Sequence, residues 1–210
     1  MRGHATRSER LRAAIRHPSF RTAVLADLRL EVQRRNEGRS LGSRLAMLLE
    51  LLRLMWASDG FGALLCYRAK ASLQQARVPV LPYIAQRAAI VWGQLAIGDP
   101  VLVHPGVRFP HGQVVIDGFV EIRSGVEIRP FVLIGLKEGE LQGPTVLEGV
   151  CIGTGAKVIG PVTIGQRAVV GANAVVVDDV PDEAVVVGVP ARLVERSDDA
   201  KRHPAASERR

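Results

Sequence analysis

The stretch VLEGVCIGTGAKVIGPVTIGQRAVVGANAVV, residues 146–176, carries an aliphatic residue at every sixth position without a slip: Val146, Ile152, Val158, Ile164, Val170 and Val176. A period of six is neither the 3.6 of a helix nor the alternation of an ordinary strand. Glycine follows the aliphatic residue at Ile152-Gly153, Ile164-Gly165 and Val170-Gly171, and a small residue or valine stands four places on, at Val150, Ala156, Val162, Ala168 and Ala174. This is the pattern of a hexapeptide-repeat β-helix. Each unit makes one flat side and one corner of a triangular prism, with the aliphatic residue inward and glycine easing the turn. Three units close a coil, and stacked coils bury one aliphatic column while pairing their backbones at about 4.8 Å.

The phase continues upstream with two interruptions. Ile97, Val103 and Phe109 keep step, one extra residue intrudes beside His111, and the period resumes at Ile116, Ile122, Ile128 and Ile134. The second break, LKEGELQGPT at 136–145, is too polar and glycine-rich for a coil and reads as an extruded loop. About four coils are expected between Ile97 and Pro181, and the interruptions are where function is expected.

Outside the repeat the chain changes character. Residues 1–94 read as an α-helical region for capping and oligomerisation, 95–196 as the β-helix, and 197–210 as a flexible charged tail. Val24, Leu28 and Val32 share one face of a helix over 19–36, and Ser43 caps a second in which Leu45, Leu48, Leu49, Leu52 and Met55 form a broad apolar face up to Ser58-Asp59-Gly60. A third helix runs from about Phe61 to Ala76, and Pro82 suits the first turn of a fourth carrying Ile84, Ala88 and Ile90. These helices would cover the open end of the first coil. The apolar run Leu45–Trp56 is too short for the roughly 20 residues of a bilayer span and contains Glu50 and Arg53, so it reads as a buried or subunit-facing helix without stable membrane insertion.

A net charge of +7 permits a nucleic-acid partner, yet neither a basic stripe nor a base-stacking aromatic set is visible, and none is expected. Cys66 and Cys151 form neither a disulfide framework nor a metal motif, which fits a reducing cytoplasm, and no signal peptide is evident. A zinc hydratase on this scaffold needs three histidines, and only His104 and His111 fall in the repeat, so no metal is expected. His4, His17 and His203 read as solvated, and His104 as structural or at the mouth of a groove.

The run VCIGTGAKVIGPVTIGQRAVVGANAVVVDDVPDEAVVVGVPARLV at 150–194 resembles the hexapeptide acyltransferases, and most closely bacterial serine O-acetyltransferases. The likeness extends through RFPHGQVVIDG at 108–118 and, more weakly, ALLCYRAKASLQQA at 63–76. The resemblance implies a left-handed parallel β-helix, a homotrimer or dimer of trimers, and active sites in grooves between neighbouring solenoids. It implies acetyl-CoA as co-substrate with no permanently bound cofactor. The pantetheine arm would meet backbone near Gly135, Thr154, Ala156 and Ala172, and the nucleotide end would lie near Val189 to Arg192. By the same match His111 is the general base acting on a small hydroxylated acceptor, and the amide near Gly135 or Leu136 is the oxyanion donor.

The chain also departs from the family. Pro110 stands for the aspartate before the catalytic histidine, Ala96 for the aspartate that orients the imidazole, and Gln142-Gly143 for the loop Arg-His pair. The donor half is therefore retained and the acceptor half rewritten, leaving serine, a sugar or a biosynthetic intermediate as acceptors, or an inactive scaffold subunit. Asp99, Asp117, Arg123 and Arg129 are the candidates for replacement polar contacts. The end Glu208-Arg209-Arg210 lacks the terminal isoleucine that docks cysteine synthase, so that partnership is not expected.

Overall fold

A computed structural model describes residues 15–35 and 42–194. Strands from successive coils form three parallel ladders, the faces of a left-handed β-helical prism. The first face stacks Leu95–Ile97, Val114–Ile116, Leu133–Gly135, Lys157–Ile159 and Val175–Val176. The second stacks Leu102–Val103, Phe119–Ile122, Gln142–Val146 and Thr163–Ile164. Glu127–Ile128, Cys151–Ile152, Val169–Val170 and Val185–Val187 build the third, and Arg192–Val194 closes it by turning back antiparallel on Val185–Val187.

The six-residue period places each aliphatic residue over its counterpart one coil away, with Ile116 paired to Ile134, Val146 to Ile164 and Ile152 to Val170. All six aliphatic positions of 146–176 are buried, and so are the small positions Val150, Ala156, Val162, Ala168 and Ala174. Each hexapeptide thus sends two side chains inward. Glycine's part differs from the expectation. Gly153, Gly165 and Gly171 are needed because the next coil passes too close for a side chain: a Cβ would meet Ala172 N at 2.7 Å, Asp182 N at 2.4 Å and Val187 Cγ1 at 2.7 Å. The left-handed turns fall instead at other corner residues, such as Gly106, Gly125 and Gly149, stacked above one another.

Both interruptions are present. Ile97 pairs with Ile116 across nineteen residues where the next coil uses eighteen, so the corner between Phe109 and Val114 holds one extra residue. Ile122 pairs with Val146 across twenty-four, an insertion of one repeat's length that leaves the phase intact. The extruded loop is shorter than expected. Gln142–Val146 is already a strand, with Gln142 beside Phe119 and Gly143 and Pro144 buried, so only 136–141 projects.

Four helices precede the prism: α1 (Phe20–Arg35), α2 (Arg44–Ala57), α3 (Asp59–Gln75) and α4 (Leu81–Gly93). Ser43 caps α2 as expected by accepting from Ala46 N. Ser58 donates its N–H to Leu54 O and accepts from Phe61 N, so it ends α2 and starts α3, which begins at Asp59. Leu28, Leu54 and Phe61 make a small second core with Met47 and Leu51 at its edge. The expected α2 face is not buried within the chain: Leu45, Leu48, Leu49 and Leu52 are exposed, as is Ile84 of α4. The helix turns its Met47–Leu51–Leu54 side to the protein because that row meets Leu28 and Phe61.

The open end of the first coil is covered chiefly by polar side chains of α3. Tyr67 donates its hydroxyl to Val101 O and accepts from Val103 N, Arg68 donates to Val103 O and His104 O, and Lys70 donates to Ile97 O. Asp27 of α1 holds Arg68 at 2.9 Å and accepts from Gly106 N at 2.7 Å. The run CYRAK at 66–70 thereby supplies partners for carbonyls that have no preceding coil. No helix among the described residues is long and apolar enough to cross a membrane. The tail at 197–210, His4 and His203 lie outside the described residues.

Candidate active site

The four-residue corner Pro110-His111-Gly112-Gln113 bulges because the helices hold it from outside. A Cβ on Gly112 would lie 1.5 Å from Gly93 O, and one on Gly60 would lie 2.0 Å from Phe109 O. Gln113 is left-handed at φ 64°, donates its N–H to Gly93 O, and its carbonyl accepts from Phe131 N. Three glycine contacts therefore press the bulge onto the start of α3 and the end of α4, and His111 is turned out to solvent.

His111 opens into a cleft of about 220 Å³ whose lining includes Asp59, Trp92, Gln94, Gln113, Pro130 and Phe131. Asp59 comes from the first turn of α3, Trp92 from the last turn of α4, and Phe131 from the corner one coil below. Sequence reasoning missed Asp59, Trp92, Gln94, Gln113 and Phe131 as site residues. Only the α3 start could have signalled one of them, because a cap serine followed by aspartate marks a helix N-terminus.

The residues matched to acetyl-CoA separate into two groups. Thr154 and Ala172 follow His111 and Phe131 down the same prism edge, coil by coil, with Asn173 N donating to Thr154 O and Gly155 N to Pro130 O. Val189 ends that column, exposed, beside a cis bond to Pro190, and exposed Arg192 stands 3.3 Å from Asp178. Ala156 points into the core, while its N–H donates to Gly153 O and its carbonyl accepts from Leu133 N. Its backbone is thus already engaged within the prism. Gly135 lies at the far end of the strand Leu133–Gly135, where its carbonyl accepts from Gly160 N. The width of a face, on the order of 10 Å for three extended residues, separates it from the His111 edge within one chain.

The replacement contacts expected near His111 are occupied elsewhere. Asp99 pairs with Lys70 at 3.2 Å, Arg123 with Glu121 at 3.0 Å and Arg129 with Glu127 at 3.4 Å, while Asp117 lies over Gly98. Ala96 sits in an outward row with Val115 and Leu133, so no carboxylate stands at the matched orienting position. Asp59 brings one to the cleft from the helical side. His104 is on another edge, bonded to Glu121 at 2.8 Å, and its carbonyl accepts from Arg68. His17 is not solvated: it lies half-buried edge-on to Tyr67, with Nδ1 buried and unpaired among the described residues.

No family model matches the chain. It is 33% identical to the serine acetyltransferase of Synechococcus elongatus over 160 residues, 70% of this chain and 61% of that protein. It is also 33% identical to that of Escherichia coli (strain K12) over 145 residues, 68% and 53% of the two chains. The chain thus spans about half to three-fifths of these curated relatives. A solved serine acetyltransferase in complex with CoA superposes with a TM-score of 0.70 at 30% identity, covering 84% of this chain and 70% of the other. With a bulged histidine at the head of one prism edge and that extent of shared chain, the protein belongs to the serine acetyltransferase family.

Proposed function

We propose that the protein transfers an acetyl group from acetyl-CoA to a hydroxyl of a small acceptor, with His111 as general base. The observation that carries this is the placement of His111 on an outward bulge at the head of the Thr154–Ala172–Val189 edge. In the reaction the acceptor oxygen attacks the thioester carbonyl while its proton passes to the imidazole. The tetrahedral oxyanion then collapses, the C–S bond breaks, and the imidazolium returns the proton to the leaving CoA thiolate. A neutral imidazole accepts a proton at its free ring nitrogen and, once charged, can give it back.

The oxyanion donor at Gly135 or Leu136 would come from a neighbouring copy. One chain keeps its His111 edge and its Gly135 edge on opposite sides of a face, so a site using both needs two prisms side by side. The assembly is accordingly a homotrimer or a pair of trimers, with CoA lying in the groove between prisms. Thiol release from acetyl-CoA in the presence of hydroxylated acceptors tests the activity. His111→Ala should lower turnover by about 10² to 10⁴ with little change in acetyl-CoA affinity. Wild-type turnover in that variant would remove the mechanism.

A further inference from the structure

The His111 cleft has a composition that selects among acceptors. We propose that it receives a neutral polyhydroxylated ring the size of one sugar unit and rejects a free amino acid; this rests on the acyl-transfer reading above. Charge is the first argument. Among the described residues of one chain, those lining the cleft include neither lysine nor arginine, and their only carboxylate is Asp59. Holding an amino acid's carboxylate out of water calls for a cation, best a bidentate guanidinium. Asp59 could pair with the amino acid's ammonium, but its carboxylate would find no such cation among these lining residues. Within one chain, Lys137 and Arg192 line other clefts.

Hydrogen-bonding capacity is the second argument. An ionised carboxylate only accepts, and two neighbouring hydroxyls can donate to its two oxygens. Gln94 and Gln113 each offer a carbonyl oxygen and an amide donor, which suits groups that both give and take. Shape is the third. Trp92 from α4 and Phe131 from the coil below leave large aromatic surfaces exposed at the cleft, 54% and 59% accessible. Such surface is matched by the C–H face of a saturated ring, whereas the three-carbon skeleton of serine would cover little of it. The volume of about 220 Å³ is below the roughly 300–1,000 Å³ of drug-sized sites, which fits a single ring.

The experiment compares methyl hexosides of gluco, galacto and manno configuration and their N-acetylamino counterparts with L-serine, following thiol release from acetyl-CoA. At least one glycoside should raise release above the acceptor-free background, and serine should not. Trp92→Ala and Asp59→Asn alter exposed side chains and should keep the fold; each should lower kcat/KM for that glycoside by about tenfold or more, with acetyl-CoA affinity unchanged by calorimetry. Release with serine above that with every glycoside, no glycoside above background, or unchanged kcat/KM in both variants would overturn the inference. Failure of the acyl-transfer reading would look different, because then neither serine nor any glycoside would raise thiol release, whether or not acetyl-CoA binds.

Discussion

His111 owes its orientation to three residues without side chains. The Gly112 contact with Gly93 O leaves no room for a methyl group, and the atom it would strike is backbone. Gly112→Ala should therefore displace the bulge and lower turnover at least as much as it lowers stability. Crystallography of the variant with a parallel activity measurement checks this, and an unmoved His111 with full activity would contradict it. A second residue-scale expectation concerns His17. Burial, reinforced by the charges of Lys70 and Arg68, lowers its imidazole below the ordinary 6.5. As pH falls the unfolded chain binds this proton before the folded chain does, so the contribution is intact above about 6.5 and is lost as pH drops from there toward the folded value. Urea titrations at pH 7.5 and pH 5 should show a smaller loss in His17→Phe than in the wild type. Equal losses would mean that His17 is not the responsible group.

Among the elements, α3 is the joint between helices and prism. Its Arg68 is 2% exposed, pairs with Asp27 and serves two carbonyls of the first coil. Arg68→Met would strand a buried carboxylate and two acceptors together, at a cost of about 3–5 kcal/mol. Replacing Asp27 by Asn in the same chain should restore part of that loss, since the uncompensated charge disappears. Denaturant midpoints of the single and double variants measure the difference, and additive losses would show that the two residues act separately. The coils below depend on one another through the same ladders. Ile152→Ala, at a fully buried position, should cost about 2–5 kcal/mol because the flanking strands cannot collapse into the cavity.

For the whole molecule, one exposed face and one separation within the prism point to assembly. The α2 face of Leu45, Leu48, Leu49 and Leu52 is open to solvent, and the His111 and Gly135 edges lie on opposite sides of one prism face. Light scattering at micromolar concentration should give three or six copies, and a monomer would defeat the shared-groove reading. Ala172→Trp, on the exposed edge, should abolish CoA binding while leaving the assembly intact. Unchanged affinity by calorimetry would remove that edge as the cofactor path.

The prism was legible in the sequence because a period of six is set locally: each aliphatic residue meets its own repeat one coil away, so spacing alone gives the inward rows from Ile97 to Val176. The one-residue bulge at His111 and the insertion after Gly135 were legible for the same reason, as breaks in a strict count. The glycine roles were not, since a close approach at Gly153 and a left-handed turn at Gly149 look alike in one dimension. Nor were the partners of the helices. Whether α2 buries Leu49 or Leu54, whether His17 meets water or Tyr67, and that Asp59 and Trp92 reach the His111 cleft all depend on where separate helices dock. Such contacts join residues far apart in the chain through side-chain shape and charge, and only the tertiary structure brings those into register.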